Sequence, residues 1–176
     1  ALMVSLVFGA LFYLNGNIGS ATLTSALAGA LIAFLRLNIS QKNKVFMGDT
    51  GSLIIGFMLA VFAVDFIRIS QTTSQSQYID AAPIMVLAIL FFPLIDTFRI
   101  FFLRIFIYKT SPFTADKNHI HHRLLSLGYT HLQSTGIIIT INAVIIALAF
   151  SMRHLEIHIQ LILLLGLGAL LFTLPF

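Results

Sequence analysis

The sequence predicts an all-α, polytopic integral membrane protein, and three observations carry that prediction. Apolar residues make up 59% of the chain and charged residues only 9%, against about 25% charged in a soluble domain. Mean hydropathy is +1.00, and so few charges could not cover a water-facing surface. Apolar runs recur at roughly 20 residues, the length that crosses ~30 Å of hydrocarbon as helix. Cysteine is absent, so no disulfide or thiolate chemistry is available. A pI near 9.8 does not argue for nucleic acid, and no nucleic-acid partner is expected. In a membrane protein the placement of the cations says more than their sum.

Six spans are expected, at about 1–14, 19–36, 50–67, 83–107, 135–152 and 159–176. The first opens on ALMVSLVFGA with no initiator Met and no polar lead, and it is short for a crossing. It lacks the basic region and cleavage site of a signal peptide. It reads as a cut through a helix, so residues 1–176 are expected to form the C-terminal part of one transmembrane domain in a longer protein. The second span follows the turn LNGNIGS, and the third begins just behind KVFMGD. The fourth follows the polar loop ISQTTSQSQYIDAA and contains FFPLIDTFRIFFLR, where Pro93 allows a kink. The fifth follows the long polar stretch 108–134, and the sixth follows RHLEIH.

Charge counting assigns the sides. The second and fourth connectors with their flanking helix ends hold Arg36, Lys42, Lys44, Arg99, Arg104, Lys109, Lys117 and Arg123, whereas the other three hold only Arg68 and Arg153. Cytoplasmic loops carry the Lys/Arg excess. The segment KVFMGDTGS and the segment KNHIHHR are therefore both expected on the cytoplasmic face, where they would form one site.

Within the first segment Asp49 and Thr50 stand where a polar loop enters an apolar helix. One reading is an N-cap, since Asp and Thr side chains accept hydrogen bonds from a first helical turn. The other is a Mg²⁺ ligand. Gly48 and Gly51 flank the acid and permit close backbone approach, and a helix N-terminus is an anion site. Mg²⁺ is often held by one or two carboxylates plus phosphate oxygens.

The second segment offers His119, His121 and His122 within four residues. On a helix His119 and His122 share a face, whereas an extended chain pairs His119 with His121. A solvated loop beside anionic headgroups is the plain alternative, but Lys and Arg would serve that better than imidazole, mostly neutral at pH 7. A ligand, acid/base or phosphate-binding role is favoured. Pro112 and the polar TADKN lead hold the cluster outside the hydrocarbon.

Asp96 and Arg99 lie inside the fourth span, where charges are costly and usually paired or functional. Their i,i+3 spacing permits a mutual ion pair, and structural pairing is favoured over catalysis. Asp65 and Arg68 repeat the spacing at the outer end of the third span and read as an interfacial pair. His131, His154 and His158 read as interfacial.

These stretches resemble the polyprenyl-phosphate N-acetylhexosamine-1-phosphate transferase family (glycosyltransferase family 4). FMGDTGSLIIGF resembles that family's F-M-G-D-x-G-S-L block, PLIDTFR its P-L-x-D-x-x-R stretch, and SPFTADKNHIHHRLLSLG its S-P-F-x-x-D-[RK]-x-H-I-H-H block, in family order from about residue 30 onward. The resemblance implies a multi-pass enzyme of the bacterial inner membrane with its site facing the cytoplasm. It would join a sugar-1-phosphate from a UDP-N-acetylhexosamine to undecaprenyl phosphate, releasing UMP, as the first membrane step of a cell-surface glycan such as lipopolysaccharide. It implies Mg²⁺, or Mn²⁺ in its place, on Asp49. Phe46 would stack on uracil and Gly48 would line the same substrate pocket. His119, His121 and His122 would line the diphosphate, with Lys117 and Arg123 adding positive charge. The bilayer is the other partner, and a second copy of the chain in a homodimer is admitted.

The H-I-H-H form resembles the N-acetylglucosamine-1-phosphate branch more than the muramyl-pentapeptide branch, which more often has three consecutive histidines. One departure stands out. The family's Asp-Asp pair and N-x-x-N-x-x-D motif do not occur, since no two acids are adjacent; both are expected upstream. A membrane di-iron oxygenase would need more His boxes than six histidines on two faces supply. A transporter using histidines and Asp96 as a proton relay would need charges buried mid-span.

Overall fold

The computed structural model describes residues 1–40, 42–72, 81–111 and 119–173. Those residues are overwhelmingly helical, with no strand among them: α1 (Leu2–Leu14), α2 (Ile18–Ile39), α3 (Gly48–Thr72), α4 (Ala82–Ile89), α5 (Phe91–Phe102), α6 (Ile120–Ser126), α7 (His131–Ser151) and α8 (Ile157–Thr173). The protein is an all-helical integral membrane protein. Along α3 the apolar residues Leu53, Phe57, Val61 and Val64 are 46–72% exposed and recur every three or four residues. One exposed apolar face at helical spacing is what a lipid-facing helix presents.

The six expected spans are redistributed. Among the described residues α2, Gly48–Gln71 of α3 and α7 are long and apolar enough to cross a membrane, and the broken pair formed by α4 with Phe91–Tyr108 is a fourth candidate. Helices α1 and α8, at the expected first and last spans, have 13 and 17 residues. At 1.5 Å per residue the shorter of these reaches only about 20 Å.

The chain forms two compact units, Ala1–Val86 and Leu87–Phe176, each described here by itself. In the first, α1 and α3 meet through fully buried rings. Phe12 packs edge-on against Phe66 with centroids 5.9 Å apart, and Phe8 stands 6.2 Å from Phe66. Gly9 lets α2 come close, because a Cβ there would stand 3.1 Å from Thr24 Oγ1. Near the end of α3 the Arg68 guanidinium donates to Asp65 Oδ1 at 2.7 and 3.1 Å, the expected pair, and Ser20 Oγ donates to the other carboxylate oxygen.

In the second unit the fourth expected span does not run through. It breaks at Leu90, between α4 and α5, and Pro93 is the cause. Its ring has no N–H to donate and clashes with the carbonyl four residues back, that of Ile89. Asn142 of α7, only 3% exposed, repairs the break. Its amide Nδ2 donates to the Ile89 carbonyl at 3.2 Å, and its Oδ1 accepts from the Phe92 N–H at 3.1 Å. Apolar surroundings leave no water to do this, so a freed backbone group must find a protein partner. Beyond Phe102 the helix continues as a π-helical turn over Leu103–Tyr108, closed by Lys109 in the left-handed region at φ 51°. The helical chain therefore ends before Pro112, the expected breaker, which lies outside the described residues.

Candidate functional site

In the first unit the loop between α2 and α3 is braced by Asn38, whose Nδ2 donates to the Val45 carbonyl at 3.0 Å. Phe46 follows, 86% exposed. Gly48 opens α3 at φ +67°, a conformation that favours glycine. Gly51 is needed by its neighbour, since a Cβ there would stand 2.8 Å from Met47 Cγ. Asp49 lies in the first turn of α3. Its carboxylate is exposed and accepts no hydrogen bond among the described residues. The N-cap reading therefore loses its basis, because a cap must accept from a backbone N–H.

In the second unit α6 settles how the histidines are displayed. Residues 120–126 are helical and His119 is the N-cap residue, with no capping bond from its own side chain. Ile120 and Leu124, one turn apart, are 8% and 2% exposed. They sit with Phe92 and Ile95 of α5 and Ile137, Ile138 and Ile141 of α7 around a void of only 20 Å³. That anchored face leaves His122 exposed, with His121 and Arg123 half-buried. The helix ends in a Schellman turn: Gly128 takes φ +93°, its N–H donates to the Leu125 carbonyl at 3.0 Å, and Tyr129 N–H donates to Leu124 at 3.2 Å. Immediately beyond, Thr130 and Gln133 form a reciprocal capping box that starts α7.

This geometry divides the three histidines. The ring of His121 lies 5.3 Å from that of His122 and 5.6 Å from that of His131. His131, expected at the interface alone, thus joins the cluster, because the Schellman turn folds the start of α7 back toward α6. Burial first, then the neighbouring His122 and His131, push the His121 imidazole below its ordinary pKa, with Asp96 opposing.

His119 takes another partner. Its Nδ1 is 2.8 Å from Asp96 Oδ2, while Asp96 Oδ1 accepts from the Ile120 N–H at 2.9 Å. The expected structural Asp96–Arg99 pair is corrected in this respect: both carboxylate oxygens serve the histidine segment. Arg99, 5% exposed, lies within electrostatic reach of Asp96, Tyr108 and Arg123. Lys117 lies outside the described residues.

Among the described residues no three His, Asp or Glu side chains gather as a metal-binding group. The group best suited to an exogenous cation is Asp49, a lone exposed carboxylate with no protein partner among them, which fits an ion completed by phosphate oxygens. Sequence reasoning missed two further residues in the second unit. Asn142 carried a readable signal, a lone amide in an apolar span that must find a partner. His131 carried none.

The family model for glycosyl transferase family 4 matches residues 1–67. The undecaprenyl-phosphate alpha-N-acetylglucosaminyl 1-phosphate transferase of Escherichia coli strain K12 is 32% identical over 142 residues, covering 79% of this chain and 36% of its own length. The Salmonella typhi protein of the same name is 31% identical over the same length and coverage. The decaprenyl-phosphate N-acetylglucosaminephosphotransferase of Mycobacterium leprae is 36% identical over 115 residues, 63% of this chain and 28% of its own. The chain thus spans about a third of the length of the curated relatives it matches. No solved structure matches significantly.

Proposed function

Because the chain belongs to glycosyl transferase family 4, we propose that the protein containing it moves N-acetylglucosamine-1-phosphate from UDP-N-acetylglucosamine to undecaprenyl phosphate. The reaction would occur on the cytoplasmic face of the bacterial inner membrane, release UMP, and begin a cell-surface glycan. The relatives' names supply the sugar phosphate and the lipid class. The observation that carries the reading to this chain is Asp49, an exposed carboxylate at a helix start with no hydrogen bond among the described residues.

An oxygen of the lipid phosphate attacks the β-phosphorus of the donor. The bond from that phosphorus to the bridging oxygen breaks, and UMP leaves with the electron pair. Such transfers depend chiefly on positioning and on offsetting charge. Asp49 would hold a Mg²⁺ ion, which when bound would supply charge neutralisation. The exposed ring of Phe46 stacks on the uracil, with Gly48 beside it. In the second unit His119, His121, His122 and Arg123 are the groups that would meet phosphate oxygens, Arg123 by positive charge; Lys117, expected beside them, lies outside the described residues.

The test uses the full protein in lipid nanodiscs, with UDP-N-acetylglucosamine carrying ³²P at the β position. Transfer of ³²P into the lipid extract, dependent on added undecaprenyl phosphate and on Mg²⁺, is the expected result. Label that stays water-soluble while N-acetylglucosamine itself enters the lipid would mean plain glycosyl transfer. No lipid label at all would overturn the reading altogether.

A further inference from the structure

Asp96 is a mostly buried carboxylate, its side chain 16% exposed, reaching across 23 residues of sequence to a histidine whose own side chain is 46% exposed. The second oxygen on the Ile120 N–H ties the same carboxylate to the first turn of α6. A carboxylate that accepts both a backbone N–H and a ring nitrogen fixes the ring in position and in orientation. It also fixes the tautomer. An ionised carboxylate has no proton to give, so the 2.8 Å contact requires that Nδ1 carry the hydrogen. The neutral ring then holds its lone pair on Nε2. That atom has no hydrogen-bond partner among the described residues. Among the described residues the rings of His121 and His122 stand against other imidazoles, and no carboxylate hydrogen-bonds either ring to select its tautomer.

Building on the transfer reaction above, we propose that Asp96 is a positioning residue that sets His119 apart from the other two as the proton acceptor of the cluster. Nε2 of His119 takes the proton of a singly protonated lipid phosphate. The freed oxygen forms the new bond to the β-phosphorus, the bond to the bridging oxygen breaks, and UMP leaves with that electron pair. The imidazolium so formed keeps its Nδ1–H on Asp96, whose charge stabilises it. An orienting carboxylate behind a base histidine is a general device, independent of fold.

A capping role alone is the rival account, and Asp96→Asn separates the two. Asparagine caps helices about as well as aspartate, so its Oδ1 keeps the Ile120 N–H. Its other atom is an NH₂ group, which donates to Nδ1 and moves the ring hydrogen to Nε2. We expect kcat of the full protein to fall at least ~10²-fold with KM for both substrates nearly unchanged. Adding His119→Ala to Asp96→Asn should cost little more, because the two act as one unit. Near-wild-type turnover by Asp96→Asn, or a full second loss in the double variant, would overturn the proposal. A readout independent of turnover is the ¹⁵N spectrum of histidine-labelled protein in nanodiscs, with the His119 signal assigned by its disappearance in His119→Gln. An Nδ1–H tautomer in the wild type, changing to Nε2–H in Asp96→Asn, supports the proposal, and an Nε2–H tautomer in the wild type sinks it. If no ³²P enters the lipid with the wild-type protein, the proposed reaction fails and the acceptor role falls with it, whereas the spectrum still decides the Asp96–His119 coupling.

Discussion

Asp49, in the first turn of α3, and Asp96, midway along α5, are both aspartates of apolar helices, yet they end in opposite states. Asp49 is exposed, and its carboxylate has no protein partner among the described residues. Asp96 is largely buried, with one oxygen on His119 and the other on the Ile120 N–H. The contrast separates two uses of a carboxylate. A satisfied, desolvated one organises the protein around it, because leaving it unpaired would be costly. An open one at a helix start is available to something from outside. The sequence set them apart by position, Asp49 behind a polar loop and Asp96 inside a span, but it did not name His119 as the partner of Asp96.

The contrast breaks first at Asp49. Replacement by Asn should lower transfer at least ~10²-fold, while the unfolding midpoint in detergent stays within a degree or two, since the carboxylate caps nothing. An N-cap would behave in reverse, with about 1 kcal/mol of stability lost and chemistry kept. Measuring both quantities on one preparation decides between them.

Asn142 tests the other half of the comparison, that polar groups in the second unit are structural where their partners are buried protein atoms. Asn142→Ala leaves the Ile89 carbonyl and the Phe92 N–H unpaired at the break between α4 and α5. Each lost partner costs about 1–3 kcal/mol, so a clear drop in the thermal midpoint is expected. An unchanged midpoint would mean that the break is held by something other than the amide.

A smaller effect is expected from the capping box. Thr130→Ala removes the acceptor for the Gln133 N–H at the start of α7, worth about 1 kcal/mol. It should also loosen His131 from His121, visible as a change in the His131 ring signals.

The smallest expected effect is on pH dependence. His121 is held below its ordinary value by burial and by His122 and His131, so the folded protein binds its proton less readily than the unfolded chain. Stability on its account is complete above about 6.5 and falls as the pH drops from there through the lowered folded value, below which the full cost is present. Midpoints followed from pH 7.5 to 5 should therefore decline less steeply in His121→Gln than in the wild type. Parallel curves would remove His131 and His122 as neighbours of consequence.

Much of this molecule was legible from local sequence. Composition alone required an all-helical membrane protein, because 9% charge cannot clothe a soluble surface. The start of α3 at the GDTG stretch, the Asp65–Arg68 pair and the helix-breaking effect of Pro93 all follow from residues within a turn or two of one another. So does the helical display of residues 120–126, which the spacing left as one of two options. Tertiary structure decided the rest. Asp96 takes its hydrogen bonds from His119 and the Ile120 N–H, with the expected partner Arg99 within electrostatic reach, Asn142 reaches Ile89 across 53 residues, and His131 turns back onto His121. The reason is physical. Helical periodicity encodes which residues share a face three or four apart, but it carries no information on which face of one helix meets another. A polar group in an apolar helix declares only that it needs a partner. Packing chooses which one.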